Sequence, residues 1–238
     1  MKDIFITGFS GFIGNNLKLS FNKYSFCSFK KGDDIIINSP VVIHLAGKAH
    51  DTKKTSVSKD YYESNTELTK QVFDSFLKSN AKVFIMISSV KAVADSVEGL
   101  LYEDHIPNPQ THYGKSKLLA ENYILSKKIS KSKRFYILRP CMIHGPGNKG
   151  NLNLLYNIIS KSFPWPLGAF ENNRSFCSID NLLFVINELI NNEKIASGIY
   201  NIADDDPLST NEIILLISKT LNKKSLIWNM PISIIHLL

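Results

Sequence analysis

Ile4-Phe5-Ile6-Thr7-Gly8-Phe9-Ser10-Gly11-Phe12-Ile13-Gly14 is the stretch that decides the fold. Three consecutive apolar residues suit a strand buried on both faces of a parallel sheet. Gly8, Gly11 and Gly14 follow at once, and a helical pattern runs over 12–20. Glycines at such a turn let a ligand approach backbone N–H groups. The positive end of the next helix then favours an anion such as a dinucleotide pyrophosphate. The spacing is G-x-x-G-x-x-G, not the G-x-G-x-x-G of the general dinucleotide fingerprint. A ligand-free strand-to-helix turn is the alternative reading.

Working outward, Val41-Val42-Ile43-His44-Leu45, Val83-Phe84-Ile85-Met86-Ile87 and Phe135-Tyr136-Ile137-Leu138 predict further buried strands. Tyr24 to Phe29 is a less apolar candidate. Helix-length stretches lie at 60–79, 112–130, 151–162, 180–192 and 209–222. This alternation predicts an α/β fold, a Rossmann-type doubly wound parallel sheet. Gly145-Pro146-Gly147 and Phe163-Pro164-Trp165-Pro166-Leu167-Gly168 then break the pattern. The expected organisation is a dinucleotide-binding domain over 1–145. A smaller substrate-binding portion over 146–238 interleaves with the last sheet elements in one compact unit.

The 238 residues are 44% hydrophobic and 21% charged, the make-up of an ordinary globular protein. Net charge is +7, but the lysines are scattered rather than gathered in a block. That speaks against nucleic-acid binding and suits an anionic substrate or cofactor. Cys27, Cys141 and Cys177 are odd in number and in no metal-ligand spacing, which reads as reduced thiols without a metal site. The chain begins without a signal-peptide pattern, and no apolar stretch is long enough for a membrane span. A cytoplasmic location is expected.

Tyr113-Gly114-Lys115-Ser116-Lys117 places a phenol and an ammonium four residues apart, on one helix face. A nearby ammonium and the positive charge of an oxidised nicotinamide both stabilise phenolate, so Lys117 and the cofactor are expected to lower the pKa of Tyr113 and make it a general acid/base. Ser88-Ser89 ends a buried strand, where a hydroxyl can enter the same cleft, and Ser89 is the preferred member. Nucleotide choice is read after the second strand, where a carboxylate would bind a ribose diol and a cation a 2′-phosphate. Lys30 and Lys31 follow Phe29 and tilt the choice between NAD and NADP towards NADP, while Asp33 or Asp34 can contact the adenosine side.

With these residues in this order, the chain resembles the extended short-chain dehydrogenase/reductase family, of NAD-dependent epimerase/dehydratase type, from Met1 to about Asn222. Thr7 to Gly14 resembles the cofactor turn, His44-Leu45-Ala46-Gly47 the fourth-strand motif, and Asn65 a structural asparagine. Ser88-Ser89, Tyr113/Lys117, Arg139-Pro140 and His144-Gly145-Pro146-Gly147 complete the series, the last with His where Tyr is usual. The resemblance implies cofactor contacts from Gly8, Gly11, Phe12, Ile13, Gly14, Lys30, Asp33, Asp34, Leu45, Ala46, Gly47, Tyr113, Lys117, Pro140 and Met142. It implies catalysis by Ser89, Tyr113 and Lys117, and substrate contacts from Ser89, Asn151, Leu167 and Arg174. Arg174 would grip the substrate pyrophosphate.

Ala46 to Asp51 and Ser88 to Ala92 look most like bacterial UDP-N-acetylhexosamine 4-epimerases and 4-keto reductases of surface-polysaccharide synthesis, which are UDP-glucose 4-epimerase-like. Dehydratases of the family carry an acidic pair where this chain has Val90-Lys91, so dehydration is disfavoured. Lys91 and His50 are expected beside the sugar pocket rather than in catalysis. Members usually continue for several dozen residues past this C-terminus, and the stretch before His44 leaves little room for the usual third strand. The substrate side is therefore expected to be shortened. A non-catalytic dinucleotide-binding relative is the competing reading. By analogy with the family, a homodimer would pair through the helix starting near Tyr113.

Overall fold

The computed structural model describes residues 3–29, 32–49, 58–148 and 150–231. Lys30, Lys31, His50 and Lys149 lie outside the described residues, as does the side chain of Asn151. The strands are β1 (Asp3–Thr7), β2 (Ser25–Cys27), β3 (Val41–His44), β4 (Val83–Ile87), β5 (Arg134–Pro140), β6 (Met142–His144), β7 (Phe176–Ser178) and β8 (Gly198–Ile202). The α-helices are α1 (Phe12–Ser20), α2 (Ser58–Tyr61), α3 (Leu68–Lys78), α4 (His112–Leu125), α5 (Asn151–Ser160), α6 (Ile179–Asn191) and α7 (Thr210–Thr220).

Two compact units result: Met1–Cys141 with Ile179–Ile202, and Met142–Ser178 with Ala203–Leu238. The first holds a six-stranded sheet in the order β2-β1-β3-β4-β5-β8, with every pair parallel. After β2 the chain crosses to the other side of β1, so strand order reverses between β1 and β3. Crevices outside the strand C-termini at such a reversal are where α/β sheets hold ligands. Among the described residues nothing pairs outside β2, consistent with the short stretch before His44.

The continuous apolar runs are explained by burial on both faces. Phe5, Val42, Phe84, Met86 and Ile137 pack with Val72, Phe73 and Phe76 of α3 and with Ala120 and Ile124 of α4. The alternate residues Ile4, Ile6, Ile43, Ile85, Tyr136 and Leu138 face the other way and are equally buried. Phe84 meets Phe73 edge-on at a centroid distance of 4.9 Å and Phe76 at 5.3 Å.

Sequence patterning does not reveal β6, β7 or β8. The first two have three residues each, and β8 is a half-buried edge strand of mixed polarity. The helix expected over 112–130 ends at Leu125, because Ser126 caps it and its hydroxyl donates to the Tyr123 carbonyl.

In the second unit β6 and β7 pair in parallel and α5 packs on α7. Ser209 and Glu212 form a reciprocal capping box at the start of α7. Trp165 N–H donates to the Leu226 carbonyl at 2.7 Å, and Gly168 N–H to that of Trp228 at 3.0 Å.

Truncating the ring at the centre of the sheet, Phe84→Ala, is expected to cost about 3–5 kcal/mol. Urea unfolding followed by circular dichroism measures it.

Candidate active site

β1 ends at Thr7, and Gly8 turns the chain with φ of +72°. A Cβ on Gly8 would lie 2.5 Å from Ala46 N, so the loops after β1 and β3 touch backbone to backbone at the order reversal. A Cβ on Gly14 would lie 2.5 Å from the Phe9 carbonyl oxygen. Gly11 caps α1 without a side chain, and the first turn contains no acid. Its N–H groups are thus left for an anion. This cradle, which side chains would fill, fits a dinucleotide pyrophosphate. Phe12 and Ile13 sit half-buried in the same turn, with Leu45, Ala46 and Gly47 across from it. Asp33 and Asp34 are exposed in the loop after β2, and Pro140 closes β5.

Below the cradle runs a fully ordered hydrogen-bond chain. Thr69 Oγ1 donates to the Asn65 carbonyl at 2.6 Å, so it must accept at 2.8 Å from His44 Nε2. Nδ1 of His44 is then the acceptor, taking the Thr7 hydroxyl proton at 2.7 Å. Thr7 Oγ1 accepts in turn from Ala46 N–H at 3.1 Å. Burial, aided by the charge of Lys117, lowers the His44 pKa to about 3 and keeps the ring neutral.

Asn65 sits in a π-helical turn, Tyr62–Glu67, between α2 and α3. Fully buried, it receives Lys48 N–H on Oδ1 at 2.8 Å and donates to the Lys48 carbonyl at 3.0 Å. It also donates to Ser116 Oγ at 2.9 Å, joining the loop after β3 to α4.

Thr111 caps α4 by accepting from Gly114 N–H. Tyr113, Lys117 and Glu121 then follow at four-residue intervals along one face. Buried Lys117 donates from Nζ to the Ile87 carbonyl at 2.8 Å. Ser88 Oγ donates to Glu121 Oε1. Ser89 hydrogen-bonds the phenol of Tyr113, and its Oγ also accepts Lys91 N–H at 3.2 Å. Three successive residues at the end of β4 therefore attach to three successive turns of α4. The structure brings Ser89, Tyr113 and Lys117 together.

The expected lowering of the Tyr113 pKa does not occur in the protein alone. Burial raises it, with Glu121 and Tyr61 adding to the rise, and the Ser89 hydrogen bond only partly offsets them. Lys117 is turned to the Ile87 carbonyl, and its own pKa falls to about 8, chiefly through burial. Lys91 pairs with Asp95 at 2.9 Å.

Glu121 and Arg139 were not singled out as site residues by the sequence. Arg139 donates to both Glu121 oxygens, through Nε at 3.1 and 3.2 Å and through a terminal nitrogen at 2.6 Å. The signal available was the continuation of the Tyr–Lys interval by one more turn to an acid. In the sequence His44 stands out only as part of a strand motif.

The remaining candidates belong to the second unit. Met142 begins β6, Leu167 is half-buried and bridges to Asn229, and Arg174 pairs its backbone with Leu208 while its side chain is exposed. His144 meets Asp204, which also accepts Ser178 N–H.

Residues 27–203 match the model of the NAD dependent epimerase/dehydratase family. The chain belongs to this family. UDP-glucose 4-epimerase of Vibrio cholerae is 32% identical over 98% of this chain and 79% of its own length. Two solved structures share the fold. One is UDP-glucuronic acid 4-epimerase from Bacillus cereus in complex with NAD, with TM-score 0.78 and 21% identity over 96% of this chain and 87% of that one. The other is RMD from Pseudomonas aeruginosa complexed with NADPH, with TM-score 0.78 and 21% identity over 97% and 87%. Among the described residues no helix is long and apolar enough to cross a membrane, and no group of His, Cys, Asp or Glu could hold a metal.

His44 is expected to stay neutral as the Nε2–H tautomer down to about pH 4, one unit above its pKa of about 3. Long-range 1H–15N NMR reads this directly. Because the folded pKa lies below the unfolded value of 6.5, the unfolded chain takes up the proton first. Stability is therefore lost progressively as pH falls from 6.5 towards 3.

Proposed function

We propose that this enzyme is a nucleotide-sugar 4-epimerase acting on UDP-hexoses or UDP-N-acetylhexosamines, in the supply of precursors for surface polysaccharide. The convergence of Ser89, Tyr113 and Lys117 at the strand C-termini supports this reading most, with the likeness to a UDP-glucose 4-epimerase beside it. When bound, NAD or NADP supplies hydride exchange at the sugar C4 and, in the oxidised form, a positive charge.

The glycine cradle and the first turn of α1 hold the pyrophosphate. Buried Tyr113 rests as a neutral phenol, poised as an acid. Nearby positive charge favours its ionised form and lets it take the proton of the C4 hydroxyl. Ser89 hydrogen-bonds the same sugar oxygen and keeps it aligned. Lys117 stabilises phenolate and anchors the nicotinamide ribose. The 4-keto sugar would then rotate to present its other face for hydride return, while Tyr113 gives the proton back to the C4 oxygen, which completes epimerisation without net consumption of cofactor. Asn151, Leu167 and Arg174 are the proposed contacts to the nucleotide diphosphate, Arg174 through the fork geometry that suits phosphate. The Lys30-Lys31 pair supports NADP over NAD, and analogy with the family supports pairing into a homodimer through α4.

A second reading, a 4-keto reductase, is favoured by the likeness to dTDP-4-dehydro-6-deoxyglucose reductase of Escherichia coli, 27% identical over 80% of this chain. The purified protein incubated with NAD or NADP and UDP-glucose or UDP-N-acetylglucosamine separates the two. Interconversion of C4 epimers without added reductant is the expected result. Oxidation of NADPH only when a 4-keto sugar is supplied would establish the reductase, and neither activity would sink both readings.

Tyr113→Phe is expected to lower kcat by about 10²–10⁴-fold, the range for loss of a general acid/base. Cofactor affinity, measured by fluorescence titration, should be nearly unchanged. Full turnover in this variant would overturn the mechanism.

A further inference from the structure

The floor of the site contains more charge than proton transfer at Tyr113 requires. Glu121 and Arg139 are 0% and 2% exposed, and neither reaches the open cleft. Burying an ion pair is costly, and such a pair often contributes no net stability over apolar residues of the same volume. Its placement here has a particular consequence. Glu121 lies one helical turn beyond Lys117 on the same face of α4, and it ties down Ser88, between the residues that meet Lys117 and Tyr113.

We propose that Glu121, gripped by Arg139, is the counter-ion that keeps Lys117 charged and in place, which makes the pair positioning residues for proton transfer at Tyr113. The proposal rests on the reading of Tyr113 and Lys117 as the proton-transfer pair. The other groups facing Lys117 supply no negative charge. His44 on β3 is neutral, Asn65 offers an amide near Gly47, β4 presents the Ile87 carbonyl, and Tyr113 is a neutral phenol. Burial pulls the Lys117 pKa down, and Glu121 is the group that opposes it. Arg139 sets how strongly it does so. Its two-point grip on the carboxylate cancels part of the negative charge that Lys117 would otherwise meet. The cluster of Lys117, Glu121 and Arg139 has one positive charge left over, and it lies beside the phenol that must become anionic.

This arrangement makes the two partners act on Lys117 with opposite sign, which simple loosening of the site does not. Protein labelled with 13C at lysine Cε, with Lys117 assigned by Lys117→Arg, is titrated by NMR. The wild-type midpoint is expected near 8. Glu121→Gln should lower it by about one unit, and Arg139→Gln should raise it by less than that. Shifts of the same sign, or none, would overturn the proposal. If either single variant does not fold, Glu121→Gln with Arg139→Gln removes carboxylate and guanidinium together, so neither is left buried without the other. Its Lys117 midpoint should then fall below the wild-type value, since the nearer Glu121 acts more strongly, and an unchanged midpoint refutes the idea. The titration needs no turnover, so it stands even if the epimerase assay fails. In an active protein, Glu121→Gln should lower kcat about tenfold at little cost in KM and move the basic limb of the kcat profile in step with Lys117.

Discussion

The site in the first unit is organised around the burial of an ammonium. Lys117 has lost its water, and the Ile87 carbonyl replaces part of it. A buried cation demands partners, and those partners fix the ends of the surrounding elements. β4 must end where its carbonyl meets α4, and α4 must keep Tyr113, Lys117 and Glu121 in one row. β5 must deliver Arg139 behind Glu121. The arrangement of these side chains is thus the solution of an electrostatic problem in a dry interior, and the aromatic core around Phe84 supplies the rigidity beneath it.

The glycine turn obeys a different constraint, steric rather than electrostatic. The loops after β1 and β3 meet at Gly8 and Ala46 with no room for a side chain. Behind them the chain from Ala46 through Thr7, His44 and Thr69 to Asn65 has only one consistent arrangement of protons. Each hydroxyl both donates and accepts, so no member can be reversed alone. A neutral histidine is the only form that completes it, and burial enforces that form.

The parallel sheet was legible because burial on both faces leaves runs such as Val83 to Ile87 with no polar interruption. The glycine turn and the Tyr–Lys interval were legible because each is local. The short strands β6 and β7 were hidden, since three residues carry no period, and β8 was hidden because an edge strand need not be apolar. Arg139 and Glu121 stood in the sequence, but their pairing spans 18 positions and depends on how β5 and α4 are placed. The direction of the Tyr113 pKa in the protein alone is not legible for a related reason. Spacing showed that Lys117 shares its face, not that the ammonium turns to a strand carbonyl while desolvation governs the phenol.

The π-helical turn around Asn65 divides one continuous helical segment into two phases. Leu68 N–H bonds the Glu63 carbonyl five residues back, so an extra residue is accommodated at this point. Each residue of an α-helix turns the next by about 100°. C-terminal to the turn, α3 presents Val72, Phe73 and Phe76 to the core. N-terminal to it, Tyr61 lies edge-on to the Tyr113 ring. Loss of a single residue within the turn would leave the core phase intact and rotate Tyr61 and Asp60 away from where they now point. Indels at this turn are therefore a route by which the aromatic wall beside Tyr113 can be changed without repacking the aromatic cluster below.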